Sequence, residues 1–526
     1  FLVISYCVVA IQTMATVTDP SAESTTPNSV PDDQFSLLTE IMHMWGTCVF
    51  APATTNLRGL AKKGLLKSSS TAAKTNDSSF DDAADPNKVV LTLPVSLATI
   101  TDIFLDNKQL LLDEYSSDPG IPFHIAVLTE YREKYSTYFL EREHIVVFND
   151  ASKNSELVYG ILSNTTLKRN TLIFRGSVST MDYKMDFKIG MDRHRCPDGD
   201  LVFLHRGFST YLLDSEHNKG LNDDGITGDV DGAGAASTTT TNGKSPSSVE
   251  NDKDAAAITT TNTTTTTSPT VTESKFDEIK RELGKCCKQY PDHKIYVSGH
   301  SLGGSLALIA AFELAGFLTT PVGGDGESGI NETTPRPLTC ITFGPLQVGD
   351  IRFRRSFQRM ECEGLINNIN IINRGDLIPL YPVWTGTKWY RFVGNKLKLA
   401  NAEVKDSKTK NKKKLKEKDM TSTISRAPET SSCFMAWLRD IPNQIKYTGR
   451  LFNVLCCEQQ FWLNHTVTET TVNLKANAKY LEQLTWDDLY KDCRTSFSVD
   501  GARSSTVESP KSKQGTVGRS SVALSG

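Results

Sequence analysis

The hexapeptide Gly299-His300-Ser301-Leu302-Gly303-Gly304 sets a single serine among glycines. The spacing G-x-S-x-G suits a nucleophile, because a hydroxyl held on a sharp strand-to-helix turn needs neighbours without side chains. The flanks agree. Lys294-Ile-Tyr-Val297 reads as a short apolar strand leading in, and residues 305–318, almost wholly apolar, as a buried helix leading out. A helix that starts there points its first N–H groups at the group under attack, so the N–H of Leu302 is placed to stabilise an oxyanion. The serine also needs a base and an acid to orient that base, in the chain order Ser, acid, His. His465 is the one histidine beyond Ser301. Asp350, Asp376 and Asp440 are candidate acids. Asp376 fits best: it follows the strand Ile369-Asn-Ile-Ile372, and acids at the carboxyl ends of parallel strands share a rim with the serine turn. Asp350, next to Gly349, has the look of a turn or a helix cap. A second oxyanion donor is expected at an earlier strand end. Phe174-Arg175-Gly176-Ser177 supplies one, with Ser177 offering both its N–H and its hydroxyl.

Several elements must hold these groups. Strands are expected at 145–148, 171–174, 294–297, 338–343 and 369–372, and helices at 276–290, 305–318 and 351–360. Between 89 and 142 the apolar spacing is mostly helical. Strand and helix alternating at this spacing imply an α/β fold with a mainly parallel sheet flanked by helices. One domain over 86–492 accounts for the pattern, with its motifs concentrated in 172–382. Two tracts interrupt it: a Thr-, Ser-, Gly- and Asp-rich one at about 217–273, and a second at about 401–429 with eight Lys between 405 and 418. Neither has apolar periodicity, so both are expected to be disordered, as is the Ser-rich tail 493–526. Residues 1–85 read as mostly disordered, with one short helix near 35–50.

Composition excludes some functions. Hydrophobic residues make up 38% of the 526, and 58 Lys+Arg against 61 Asp+Glu leave a net charge of -3. Such a balance gives no general grip on nucleic acid. The apolar run from Phe1 to Ile11 is too short to span a bilayer and reads as a signal-peptide core, or as an artefact if translation begins at Met14. Eleven cysteines, with adjacent pairs at 286–287 and 456–457 and no C-x-x-C, point to mostly reduced, buried thiols. That usage favours an intracellular or membrane-associated protein over a freely secreted one. The Lys-rich tract reads as a solvated loop, with attraction to an anionic membrane as the sharper alternative. Sequons occur at Asn76, Asn164, Asn262, Asn331 and Asn464.

Taken together, these motifs resemble the class 3 (fungal-type) triacylglycerol lipases. The family's F-R-G-[ST] strand end appears as Phe174 to Ser177, its D-[WY]-x-x-D-[LF] segment as Asp182-Tyr-Lys-Met-Asp-Phe187, and its V-H-x-G-F as Leu204-His205-Arg206-Gly207-Phe208. The serine motif matches in full. The block F-G-x-P-R-V-G-N is present as Phe343 to Asp350, with Leu346, Gln347 and Asp350 departing from it. The resemblance implies an α/β-hydrolase fold and a serine esterase acting on acylglycerols or related glycerolipids at a membrane or droplet surface. It implies a Ser301–Asp376–His465 triad, an oxyanion hole of Ser177 and Leu302, and no metal or organic cofactor. His465 lacks the H-x-x-Y context usual in the family; the next Tyr is Tyr480. The 182–187 segment belongs to the family's lid region. Met181, Tyr183, Met185, Phe187, Ile189 and Met191 alternate with mostly polar residues, as one apolar face of a mobile cover would, or as an ordinary buried segment would. A catalytically silent lipid-binding protein, a small-ester esterase and an acyltransferase are the competing readings.

Overall fold

The structure, a computed structural model, describes residues 36–66, 93–150, 157–177, 186–214, 273–319, 337–400, 423–426 and 467–490, with breaks at 117, 119, 136–138, 187, 189, 197–198, 377 and 381–389. Its centre is a nine-stranded sheet. In spatial order the strands are β1 (Val95–Ser96), β2 (His144–Asn149), β3 (Tyr159–Asn164), β4 (Arg169–Phe174), β7 (Lys294–His300), β8 (Leu338–Phe343), β9 (Ile366–Asn373), β10 (Asn395–Leu399) and β11 (Thr423–Arg426). The middle five, β4 to β10, run parallel, and antiparallel strands extend both edges. A separate hairpin joins β5 (Met191–Arg195) to β6 (Leu201–His205).

Helices surround the sheet, among them α1 (Leu37–Lys62), α2 (Leu97–Asp106), α3 (Lys108–Glu114), α4 (Gly120–Tyr135), α5 (Arg206–Leu213), α6 (Lys275–Gln289), α7 (Leu302–Thr319), α8 (Ile351–Cys362), α9 (Val467–Ala476) and α10 (Ala478–Leu481). One apolar core lies on each face of the sheet. The first gathers α1, α2, α4 and the C-terminal helices; the second gathers α5 to α8. None of the described helices is long and apolar enough to cross a membrane.

The N-terminal region departs from the sequence reading. The expected helix at 35–50 and an ordered start near 89 give way to a 26-residue helix, α1, built into the core. Ser36 caps it by accepting from the Thr39 N–H, and Ile41, Met44, Trp45, Leu57 and Leu60 are fully buried. Burial of each such side chain contributes about 1.5–3 kcal/mol, so the helix is integral to the fold. Pro52 lies within it, and Gly46 sits where a Cβ would press on the Tyr131 ring of α4. The second departure is β11, which pairs with β10 inside the tract expected to be disordered at 401–429. The rest of that tract, most of 217–273, the tail 493–526 and the Lys-rich run lie outside the described residues.

Strand β9 is unusual for a central strand. Asn367, Asn368, Asn370 and Asn373 are all buried in it. Asn370 donates to the carbonyls of Val393 (2.7 Å) and Asn395 (3.2 Å) and accepts from the Thr342 hydroxyl at 2.6 Å. Asn164, one of the five sequons, is likewise buried, and its amide donates to Glu143 at 2.9 Å, so the folded chain does not present it for glycosylation. The other four sequons lie outside the described residues. Cys48, Cys196, Cys286, Cys287 and Cys340 are buried thiols. Cys362 is disulfide-bonded.

Candidate active site

The turn between β7 and α7 carries Ser301. Its φ is +56°, in the left-handed region that a residue with a Cβ adopts only when its surroundings impose it. The surroundings are backbone. A Cβ on Gly299 would overlap the Gly303 carbonyl, and one on Gly303 would overlap Phe174 O and stand 2.8 Å from Arg175 O. The two glycines therefore let the strand, the start of the helix and the end of β4 close on one another. The Ser301 N–H donates to Phe343 O at 2.9 Å, and the Ser301 carbonyl accepts from the Ser305 N–H at 3.1 Å. The Ser305 hydroxyl accepts from the Leu346 N–H at 2.9 Å, which ties α7 to the loop after β8. These bonds fix the serine at the mouth of the turn.

Register brings the other groups to the same rim. Phe174 of β4 is level with Gly299, His300 with Phe343 of β8, and Phe343 with Ile371 of β9. The residues just beyond each, Arg175 to Ser177, Ser301, and Arg374 to Asp376, thus leave the sheet at its carboxyl edge together. Gly176 lies where a Cβ would stand 2.9 Å from His300 O, so the Ser177 strand end passes against the serine turn. The Ser177 hydroxyl donates to Asp186 at 2.6 Å, and Asp186 is 7% exposed. Leu302 opens α7, where helix geometry leaves the first N–H groups without intrahelical partners. Ser177, Ser301 and Leu302 are accordingly brought together.

Asp376 follows β9 through a turn in which Gly375 has a φ of +87°. It is 6% exposed; its N–H donates to Asn373 O at 3.1 Å, and its carboxylate accepts from the Ile378 N–H at 3.0 Å. Asp350 is otherwise employed. Its carboxylate caps α8, accepting from the N–H groups of Arg352 (3.1 Å) and Phe353 (2.9 Å), as expected from its place beside Gly349. Asp440 and His465 lie outside the described residues, as do Met181, Tyr183, Met185, Phe187 and Ile189 of the expected cover; Met191 begins β5. Helix α9 starts two residues beyond His465 and is bound to the rim: the Asn373 side-chain amide donates to the Thr470 hydroxyl at 2.7 Å, and the Asn473 amide donates to the Asn373 side-chain oxygen, Oδ1, at 3.2 Å.

Sequence reasoning assigned no role to Asp186, although an acid nine residues after Ser177 was visible in the 182–187 motif. Nothing in the sequence pointed to Asn373 or Thr470, which are ordinary polar residues until the fold pairs them. Among the described residues no three His, Cys, Asp or Glu side chains gather as metal ligands.

A parallel-centred sheet bearing a strained serine at a strand-to-helix turn, with a second strand end packed against that turn, defines the α/β-hydrolase class. Within it, residues 171–386 match the family model described as lipase (class 3). The chain is 29% identical over 134 residues to phospholipase A1-II 5 of Oryza sativa subsp. indica, covering 25% of this chain and 26% of that protein. It is 28% identical over 94 residues to lipase ZK262.3 of Caenorhabditis elegans, covering 18% of this chain and 22% of that protein. The chain thus spans about a quarter of the length of the curated relatives it matches. Among solved structures, the native Rhizomucor miehei lipase propeptide complex aligns with a TM-score of 0.29 at 18% identity, covering 49% of this chain and 57% of that one.

Proposed function

We propose that the protein is a serine ester hydrolase that removes fatty-acyl groups from glycerolipids. The observation that carries this reading is Ser301, held at a positive φ between β7 and α7 with the Ser177 strand end packed against its turn. In the mechanism, Ser301 attacks the acyl carbonyl while His465 takes its proton, and Asp376 holds the imidazole in the tautomer that accepts it. The carbonyl oxygen becomes an oxyanion, stabilised by the N–H groups of Leu302 and Ser177. The Ser177 hydroxyl donates to Asp186, which fixes its side chain; swung to the oxyanion, the same hydroxyl adds a third donor. His465 passes its proton to the departing alkoxide. Water, deprotonated by His465, then frees the fatty acid from the acyl-serine.

Relatives named phospholipase A1 support a phospholipid acyl ester as substrate beside neutral acylglycerols. The family resemblance and the apolar alternation across 181–191 support action at a lipid surface. The test is labelling with a fluorophosphonate, followed by peptide mapping. Ser301 is expected to carry the label, and Ser301→Ala and His465→Ala to lose both labelling and hydrolysis of triacylglycerol, diacylglycerol and phospholipid. Labelling or hydrolysis that survives Ser301→Ala refutes the assignment.

A further inference from the structure

Helix α1 lies outside the matched segment 171–386, yet it reaches the underside of the serine turn. The Trp45 ring meets His300 edge-on at 5.7 Å between centroids, and Phe343 at 4.7 Å. These are the residue before Ser301 and the residue whose carbonyl receives the Ser301 N–H. One turn further along α1, Cys48 Sγ lies 3.2 Å from the Ser298 hydroxyl, which in turn donates to Ile341 O at 2.6 Å. Trp45 is fully buried, and its indole N–H donates to the Thr471 hydroxyl of α9 at 2.9 Å. Thr471 in turn donates to Val467 O at 2.9 Å, closing the first turn of α9. The neighbouring Thr470 accepts from Asn373, three residues before Asp376. A single indole therefore touches the serine turn with its ring and the helix after His465 with its nitrogen, and that helix grips the strand end that carries the acid.

We infer that Trp45 is a positioning residue for the catalytic rim, holding α9 in register with the serine turn through its N–H bond to Thr471. This rests on the proposed triad. The bond is suited to transmitting geometry more than to adding stability. If it is lost, Thr471 keeps its own donor bond to Val467, so no buried hydroxyl hydrogen is orphaned and the net loss of stability stays small. What changes is the constraint on the first turn of α9, which leads directly from His465. A shift of well under an ångström between base and nucleophile slows proton transfer without altering how substrate binds.

The experiment uses the full chain and a soluble short-chain p-nitrophenyl ester, so that lipid-surface effects do not enter. Trp45→Phe keeps a ring in the core and removes the N–H; Thr471→Val removes the acceptor; Thr471→Ser keeps it. Trp45→Phe and Thr471→Val are each expected to lower kcat, and the rate of fluorophosphonate labelling, about tenfold, or about 1.4 kcal/mol. KM should stay within about twofold, and the double variant should be no slower than either single one. Thr471→Ser should restore the parent rates. Circular dichroism should stay near that of the parent, while the melting temperature falls by a few degrees in Trp45→Phe, which opens a small cavity, and in Thr471→Val, which leaves the buried indole N–H without its acceptor. The inference is overturned if Trp45→Phe labels and turns over within about twofold of the parent. It is also overturned if the loss follows the unfolded fraction and Thr471→Ser does not restore it. Ser301→Ala separates the two proposals: if it remains active the triad is wrong, whereas if it is dead and Trp45→Phe is normal, the positioning role alone fails.

Discussion

Gly303→Ala is the sharpest single perturbation of the rim. The added methyl would meet backbone only: Arg175 O at 2.8 Å and Phe174 O closer still, where ordinary contact begins at 3.4 Å. No side chain can rotate away, so the start of α7 and the end of β4 must part by at least about 0.6 Å. In the proposed mechanism those two backbones carry the oxyanion donors, Leu302 N–H on one side and the Ser177 group on the other. Loss of one preorganised donor costs about 10²–10³ in kcat, and misplacement of 1 Å about 10². Gly303→Ala is therefore expected to lower kcat about 10²-fold, with an overpacking penalty of about 1–3 kcal/mol visible in urea unfolding. The assay is hydrolysis of p-nitrophenyl butyrate, with the folded fraction fixed by circular dichroism. Gly304→Ala is the control. There the nearest atoms stand at 3.1 and 3.2 Å, and one is the Pro345 Cβ, so a few tenths of an ångström suffice and the loss should stay under about tenfold. A folded Gly303→Ala enzyme within about threefold of the parent would refute the close approach as the organiser of the oxyanion site.

Ser177→Ala should reduce kcat about 10²-fold with little change in KM, since its hydroxyl serves the transition state more than the bound substrate; steady-state kinetics on a soluble ester reads this. Burial holds the imidazoles of His205 and His124 down to about 3 and about 4, and depresses His43 and His293 as well. Below pH ~6.5 the unfolded chain binds protons that the folded one refuses, so stability should fall from there toward pH 4; His205→Phe, stacked on Phe208, should flatten the slope by about 1.4 kcal/mol per pH unit, measured by urea unfolding at a series of pH values. Lys396 is pushed down to about 7 by burial, then by Lys398 and Arg354. Its folded form is fully charged only below that value, whereas the unfolded lysine keeps its proton to about 10.4, so stability should rise with pH across this window. Lys396→Met should then raise the melting temperature by a few degrees at pH 7, with the gain fading toward pH 10.

The elements that position the serine were legible because each has a strong local signature. The β-branched run 338–343 coincides with β8, and the apolar block 305–318 lies within α7. Asp350 read correctly as a cap because capping is a short-range event beside a glycine. Other elements were hidden by tertiary context. The strand expected at 369–372 begins three residues earlier, because Asn367 and Asn368 look like loop residues until their backbone pairs with Thr339 and Cys340 of β8. Helix α1 contains Pro52, Gly46 and scattered Thr and His, which blur its apolar stripe; it is buried between the sheet and α2 and α4, so no clean polar face marks its period. Strand β3, with its Gly160, and the β5–β6 hairpin, rich in charge, were invisible for similar reasons. At the site, Ser301, Ser177, Leu302 and Asp376 stand on the rim where strand-end reasoning put them. Trp45, Thr471 and Asn373 carry no motif, and their proximity arises only when α1 and α9 pack on the sheet.

The junction of the chain's two ends on α1 has a consequence for synthesis. Glu40 accepts from the Tyr296 hydroxyl at 2.8 Å and from the Trp486 indole at 2.7 Å, partners 256 and 446 residues away in sequence, and Trp45 reaches Thr471 across 426. At about 5–20 residues per second, α1 leaves the ribosome roughly 12–50 s before the strand it covers, and roughly 20–85 s before α9. During that interval Ile41, Met44, Leu57 and Leu60 have no sheet to pack on, which makes the nascent N-terminal helix a natural client for chaperones. Such long-range closure also slows folding of the released chain. An excised 171–386 fragment would expose the whole sheet face that α1 covers, so expression of the matched segment alone should yield aggregate instead of enzyme.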